Sequence, residues 1–220
     1  GLKTVTTSAD ARLTLLTLGS AAAAAGVTTV TFADTSAGGV DKVTVGAGFT
    51  TDLTVNLDAD TAANVIDASA YTKVLTVVAE ADEFDTSVST ITGGTGTSDK
   101  IKFTTGGNAI VAADLAKVSA IETFEAVGAA GAFGLTLHSD TVADGATLTI
   151  DASSLTTGAA TVDLSNETNG KIVLTTGAAA DTVTVSNSDL GDSITTGAEV
   201  DTIKAGNGDV TTIDTIAAGD

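Results

Sequence analysis

Aspartates recur at short intervals near the end of the chain. Each follows a glycine and precedes an apolar residue by two positions, and Asp181, Asp192, Asp201 and Asp214 lie 11, 9 and 13 residues apart. Carboxylate oxygens in such a series suit hard cations such as Ca²⁺. Because the chain contains no cysteine, a metal bound here must be held by oxygen atoms.

The charge balance favours cations as partners. The chain has 28 Asp and Glu against 9 Lys and Arg, a formal charge of −19, which argues against nucleic acid or an anionic membrane as a partner. No apolar run approaches the roughly 20 residues of a membrane span, and no basic and apolar signal peptide is visible. Since the sequence starts without methionine and stops inside a Gly-Asp turn, we expect a fragment of a longer protein.

Apolar residues alternate with polar ones along most of the chain, which is the pattern of strands with one buried face. Pro, Met and Trp are absent and aromatics make up 3%, so the core must be thin and regular. We therefore predict an all-β, elongated parallel β-solenoid or β-roll-like repeat, with one coil for each short Gly-Asp unit. An antiparallel sandwich is the alternative fold for the first half of the chain. The clearest predicted strands are KVTV at 42, DLTVNLD at 52, KVLTVV at 73, ATLTID at 146 and KIVLTT at 171.

Two stretches depart from the strand pattern. Residues 8–25 are rich in Ala and Leu and predict a short N-terminal helix, capped by Ser8 and ended by Gly26, although the Ala run also fits a plain loop. Residues 112–118 predict a single helical turn.

A longer repeat divides the chain. IDASA at 66–70 recurs as IDASS at 150–154, an offset of 84, and ITGGTGTSDKIKF from Ile91 aligns with LTTGAAADTVTV from Leu174. We therefore predict a helix or linker over 1–26, β-repeat modules over 27–110 and 111–195, and the start of further coils over 196–220.

The segments GGTGTSDKI, GNGD and the repeated Gly-x-x-x-Asp-Thr-Ile/Val resemble the glycine- and aspartate-rich nonapeptide of RTX proteins. The resemblance implies Ca²⁺ between successive coils, with glycines of positive φ exposing carbonyl oxygens and aspartates supplying charge. The plainer alternative is that these aspartates only end strands and cap turns. The turn at Asp41 is a further candidate. The implied metal ligands are Asp99, Gly177, Asp181, Asp192, Gly197, Asp201, Gly206, Asn207, Gly208, Asp209 and Asp214.

On a larger scale, LAKVSAIETFEAV from Leu115, GVTTVTFADTSAGGVDKVTVGAGF from Gly26 and the paired IDAS segments resemble repeat regions of bacterial S-layer proteins and giant RTX-type adhesins. That resemblance implies type I secretion to the cell surface and calcium-dependent order. It also implies a structural, non-catalytic protein that self-assembles into a lattice or filament, with cell-surface polysaccharide as another possible contact.

Other functions find less support in the residues. His138 is the only histidine, Arg12 the only arginine and Tyr71 the only tyrosine, so two-histidine metal sites are excluded and a β-helix carbohydrate-active module would lack its usual aromatic platforms. We expect His138 at the surface. An adhesin stalk or an ice- or ligand-binding repeat is the other alternative, since Thr182, Thr184 and Thr202 predict a row of outward hydroxyls.

Overall fold

A computed structural model describes residues 1–7, 15–32, 40–57, 63–80, 89–104, 109–128, 130–205 and 215–217. The chain is a parallel β-solenoid in which successive strands alternate between one long sheet and two shorter ones. Because the strands pair in parallel in all three sheets, the predicted parallel solenoid is confirmed and the antiparallel sandwich considered for the first half is wrong.

The long sheet contains the ten odd-numbered strands in chain order. They are β1 Thr4–Thr6, β3 Thr29–Phe32, β5 Leu53–Leu57, β7 Leu75–Glu80, β9 Lys100–Thr104, β11 Thr123–Val127, β13 Thr147–Asp151, β15 Lys171–Thr175, β17 Ser193–Thr195 and β19 Thr215–Ala217. The five predicted strands named above each overlap one of the observed strands, four of them in this sheet.

The even-numbered strands form the opposite side as two sheets. The second sheet consists of β2 Leu15–Leu18, β4 Lys42–Val45, β6 Val65–Asp67, β8 Thr90–Thr92 and β10 Val118–Ser119. The third sheet consists of β12 Phe133–Thr136, β14 Ala160–Asp163, β16 Thr182–Thr184 and β18 Thr202–Lys204. On the side opposite the long sheet, the second sheet therefore ends at β10 and the third begins at β12.

Apolar side chains stacked in register build the core. The central inward position of the long sheet holds one such residue per strand, and each buried Val, Ile, Leu or Phe contributes about 1.5–3 kcal/mol. Phe103 packs edge-on against Phe124, with ring centroids 5.5 Å apart. The ten register partners are Val5, Val30, Val55, Val77, Ile101, Phe124, Ile150, Leu174, Ile194 and Ile216.

One coil spans two short sequence units. Register partners in neighbouring coils are 20 residues apart at Val173 and Ser193 and 26 apart at Thr123 and Thr149. The prediction of one coil per unit is therefore wrong. Asp181 and Asp201 precede paired strands of the third sheet, whereas Asp192 precedes a strand of the long sheet. Each short unit forms half a coil, because one strand and one turn carry the chain only from one side of the solenoid to the other.

The N-terminal helix is shorter than predicted. It covers Ser20–Ala25 and ends at Gly26, whose φ of 88° is left-handed as expected of a helix-ending glycine. Its N-cap is Gly19, not Ser8, which lies outside the described residues. Leu15–Leu18 is a strand because it pairs with Lys42–Val45, and this pairing overrides the helical propensity of leucine. The helical turn predicted at 112–118 is present as a 3₁₀ helix, Ala112–Leu115.

The 84-residue repeat relates opposite sides of the solenoid. Ile66 lies in β6 of the second sheet and Ile150 in β13 of the long sheet, seven strands later. Both copies then make the same turn, in which Asp67 and Asp151 accept hydrogen bonds from the backbone N–H of Ser69 and Ser153. The long sheet continues across the predicted boundaries at 26/27, 110/111 and 195/196, and the division into modules stays a prediction.

Candidate functional site

The residue immediately before a strand, termed here the leading residue, links neighbouring coils. Its side-chain oxygen accepts the backbone N–H of its register partner in the preceding coil, at N···O distances of 2.7–3.1 Å. This N–H lies at the strand start, where an unmade bond costs free energy. Among the described residues, the ones that bond in this way are Ser89, Asp99, Glu122, Asp181, Asp192 and Asp201.

At Asp99, which is fully buried, both carboxylate oxygens are used. Oδ1 accepts the N–H of Leu75 at 2.8 Å, and Oδ2 accepts the N–H of Gly94 at 2.5 Å. The backbone of Asp99 continues the linkage, since its N–H donates to Glu122 Oε2 and its carbonyl accepts from Thr123. Asp99 therefore ties its own turn to the coils before and after it.

The segments 176–181 and 196–201, termed here the paired turns, stack in adjacent coils of the third sheet. Asp181 Oδ1 accepts the N–H of Ala160 at 2.7 Å, and Asp201 Oδ1 accepts the N–H of Asp181 at 2.9 Å. In contrast to Asp99, the buried Oδ2 atom of each aspartate has no hydrogen-bond partner. The buried hydroxyls of Thr176 and Thr196, which begin the two turns, have none either.

Asp192 resembles Asp99 more than it resembles the paired turns. Its Oδ1 accepts the N–H of Ile172 at 2.8 Å and its Oδ2 accepts the hydroxyl of Ser186 at 2.6 Å. Asp41 is also buried, and its carbonyl accepts the N–H of Val65. The predicted aspartates that the structure describes therefore lie on different sheets, and among them Asp181 and Asp201 stack on each other through a direct hydrogen bond.

The glycines of the paired turns allow close contact between coils because they carry no side chain. A Cβ on Gly177 would lie 1.9 Å from the carbonyl oxygen of Leu155, and one on Gly197 would lie 1.6 Å from that of Gly177. Neither glycine has a positive φ, so the expected left-handed turns are wrong at both positions. Glycine is needed there because the backbones of neighbouring coils approach so closely. Gly206, Asn207, Gly208, Asp209 and Asp214 lie outside the described residues.

Backbone N–H groups donate to five of the six buried acids in the described part of the chain, namely Asp99, Asp114, Glu167, Asp181 and Asp192. Among the described residues, Lys100 and Lys102 form salt bridges to Glu125, at 3.3 and 3.0 Å on the outer face of the long sheet. Within the described ranges, no group of three or more His, Cys, Asp or Glu side chains is placed to hold a metal ion. In the described part of the chain, the buried acids are Asp41, Asp99, Asp114, Glu167, Asp181 and Asp192.

No protein-family model, curated protein or solved structure matches this chain. No helix in the described part is long and apolar enough to cross a bilayer.

Several linking residues lack the Gly-Asp signature and were missed. Fully buried Glu167 accepts three N–H groups at its Oε1, from Thr168, Asn169 and Gly170, at 2.8–3.0 Å. Ser89 and Glu122 act as leading residues although none of the four residues before either of them is a glycine. A broader sequence pattern would have identified both residues, namely a polar residue two positions before an inward apolar residue. Ser89 stands in this relation to Ile91, and Glu122 to Phe124.

Three groups near these sites have altered acidity. Burial raises the pKa of the Glu122 carboxyl, and the nearby charge of Asp99 adds to the effect. Burial likewise raises the pKa of Tyr71, whose hydroxyl donates to the carbonyls of Thr51 and Val74. Hydrogen bonds from Ser69 lower the pKa of Asp67. His138 is partly exposed, and its Nδ1 accepts the N–H of Asp140.

Proposed function

We propose that this chain is a structural, non-catalytic repeat of a secreted bacterial surface layer, which self-assembles through calcium-stabilised coils. The observation that supports it most directly is the pair of buried Oδ2 atoms, on Asp181 and Asp201, that have no hydrogen-bond partner. These oxygens belong to adjacent coils of one sheet.

The donor set of the paired turns fits a hard cation. Within the paired turns, the buried atoms without partners are the Oδ2 atoms of Asp181 and Asp201 and the hydroxyls of Thr176 and Thr196, and all four are oxygen ligands of the kind that Ca²⁺ prefers. Asp181 and Asp201 would hold the ion, with the threonine hydroxyls as additional ligands. Bound Ca²⁺ supplies positive charge between two coils.

The repulsion between the two stacked carboxylates gives an estimate of how much a bound positive charge would stabilise the coils. Strands in a sheet are about 4.8 Å apart, so two like charges at this spacing repel by about 3.5 kcal/mol at an effective dielectric near 20. Calcium between the coils would cancel this cost and couple the coils mechanically. A solenoid stiffened in this way suits a lattice or filament subunit.

Assembly is the readout that tests this function. Size-exclusion chromatography and circular dichroism of the chain in EGTA, then with added Ca²⁺ or with Mg²⁺ as a control, should reveal a calcium-specific gain of compactness and of assembled species. The double variant Asp181→Asn/Asp201→Asn should lose the response, because it removes both charges but retains an acceptor oxygen at each position.

Asp163→Asn is the matched control. Asp163 lies in β14 of the same sheet, and its carboxylate accepts the N–H of Ser165, which an asparagine oxygen also accepts. This variant should respond to calcium like the parent chain. Equal assembly in EGTA and in calcium would contradict the calcium-dependent proposal.

An ice- or ligand-binding repeat is the second candidate, favoured by the outward face of the long sheet. Thr4, Thr29, Thr54 and Thr76 are successive register partners there, and Thr6 pairs with Thr31 beside them. This places threonine hydroxyls at the strand spacing of about 4.8 Å. Thermal hysteresis of the purified chain that disappears in Thr29→Leu/Thr31→Leu would favour this function over the structural one.

A further inference from the structure

A small cavity opens where the second sheet ends and the third begins. Its volume is about 80 Å³, well above the roughly 10–15 Å³ that one water molecule needs. One wall is the turn that leads into β11 and the other is the segment that leads into β13. The lining residues are Ala120, Ile121, Glu122, Thr141, Val142, Ala143, Ala146 and Thr147.

The cavity lies next to the second of two successive leading carboxylates in the long sheet. Asp99 and Glu122 lead into β9 and β11 of the long sheet, but the residue that leads into β13 is Ala146. The methyl group of Ala146 is shorter than an acidic side chain and lies in the wall of the cavity. Ala120, on the wall of the cavity, has a left-handed backbone with φ of 53°, a conformation that costs a non-glycine residue free energy.

Glu122 is the acidic group of the cavity. Its Oε2 accepts the N–H of Asp99 at 2.8 Å, and no salt bridge to it is present among the described residues. Thr141 is buried, and its hydroxyl has no hydrogen-bond partner. A ligand in the cavity thus meets one carboxylate without a counter-charge and one hydroxyl with unused bonding capacity.

The remaining lining residues determine what kind of cation fits. Five of the eight are Ala, Ile or Val, so most of the wall is apolar. Calcium takes six to eight oxygen ligands, and the lining side chains offer only one carboxylate and two hydroxyls. An anion is disfavoured by Glu122 and by the overall charge of −19. The matching chemistry is a positive group on a short apolar stem, as in lysine.

We infer that this cavity binds a primary alkylammonium group, with its nitrogen at the Glu122 carboxylate and its alkyl stem along Ile121 and Val142. The group is either a free amine or the lysine side chain of another copy of this chain. The inference concerns a different part of the solenoid from the paired turns and does not rest on calcium.

Binding is tested with n-butylammonium chloride and the whole chain in EGTA, followed by ¹H–¹⁵N NMR. We expect saturable shifts confined to residues 120–122 and 141–147. Glu122→Gln should weaken the binding at least tenfold, because it removes the charge but keeps an acceptor for the N–H of Asp99. Ala146→Leu, a change at an exposed position, should weaken it similarly by filling the cavity.

The matched control is Asp144→Asn, which removes one charge from an exposed residue of the same segment that does not line the cavity. It should bind like the parent chain, and n-butanol should give no saturable shifts. Shifts spread over the acidic surface, or equal affinity in Glu122→Gln and the parent, would overturn the inference.

Sedimentation velocity in EGTA separates the two sources of the amine. If a lysine of another copy fills the cavity, self-associated species should dissociate on adding n-butylammonium and in Glu122→Gln. If the ligand is a free amine, sedimentation should be the same with and without n-butylammonium, while the NMR shifts persist.

Discussion

The turn that ends at Asp99 and the paired turns share a sequence pattern but use their aspartates differently. At Asp99, backbone N–H groups of Leu75 and Gly94 occupy both carboxylate oxygens. In the paired turns, Asp181 and Asp201 each bond one N–H and keep a buried oxygen without a partner. The difference teaches that a Gly-Asp turn alone does not identify a metal site. The state of the second carboxylate oxygen is what distinguishes an aspartate that only links coils from one with an oxygen left to bind a cation.

The largest expected effect is from Asp99→Ala. The change leaves the N–H groups of Leu75 and Gly94 without their acceptor, and each such loss costs about 1–3 kcal/mol. We expect the free energy of unfolding to fall by about 4 kcal/mol, equally in EGTA and in calcium, as measured by urea denaturation. The exposed Asp144→Ala is the control. A loss that appears only in calcium would place Asp99 with the paired turns instead.

Replacing the glycine that begins the turn by alanine should destabilise both regions equally. A Cβ on Gly93 would lie 1.7 Å from the carbonyl oxygen of Ala120, and one on Gly197 would lie 1.6 Å from that of Gly177. Gly93→Ala and Gly197→Ala should each lower the free energy of unfolding by about 2–3 kcal/mol through overpacking.

Gly96→Ala is the control within the Asp99 turn, since its Cβ would be 3.4 Å from the nearest atom. Thermal unfolding of the three variants measures the difference. An equal loss in Gly96→Ala would refute the explanation by close backbone approach.

The smallest expected effect concerns Glu122, which continues the linkage from Asp99. Burial raises its folded pKa above the ordinary value of about 4.3, so the folded chain keeps this proton to higher pH than the unfolded chain. The free energy of unfolding therefore falls as the pH rises through the folded pKa.

Glu122→Gln should consequently be more stable than the parent at pH 7, by a few tenths of a kcal/mol after solvent screening. The gain should vanish near pH 3, where the glutamate is protonated in both states. Urea denaturation at the two pH values measures it. Greater stability of the parent at pH 7 would show that the charged form is favoured.

Much of the fold follows from local pattern, because alternation fixes which side of each strand is buried. Val183 and Val185 are buried as predicted, with Thr182 and Thr184 less so. The two-strand coil does not follow from local pattern, since both sides of the solenoid use the same short unit. The strand Leu15–Leu18 was missed because its β structure comes from pairing with a segment 27 residues later.

The candidate site was predictable only as a list of aspartates. Sequence spacing does not distinguish Asp99, Asp181 and Asp192. Their second carboxylate oxygens nevertheless differ: that of Asp99 accepts a backbone N–H, that of Asp192 accepts a hydroxyl, and that of Asp181 has no hydrogen-bond partner. Those partners come from the three-dimensional path of each turn. Glu122 was missed because its role depends on Asp99, which precedes it by 23 residues.

Calcium-dependent stability of the paired turns tests the central claim most directly. Urea denaturation of the parent, Asp181→Asn/Asp201→Asn and Asp163→Asn, each in EGTA and with Ca²⁺ at ten times its dissociation constant, isolates the contribution of the ion. The parent and Asp163→Asn should each gain about 1.4 kcal/mol with calcium, and the double variant should gain nothing. An equal gain in all three chains, or none in the parent, would contradict a calcium site at Asp181 and Asp201.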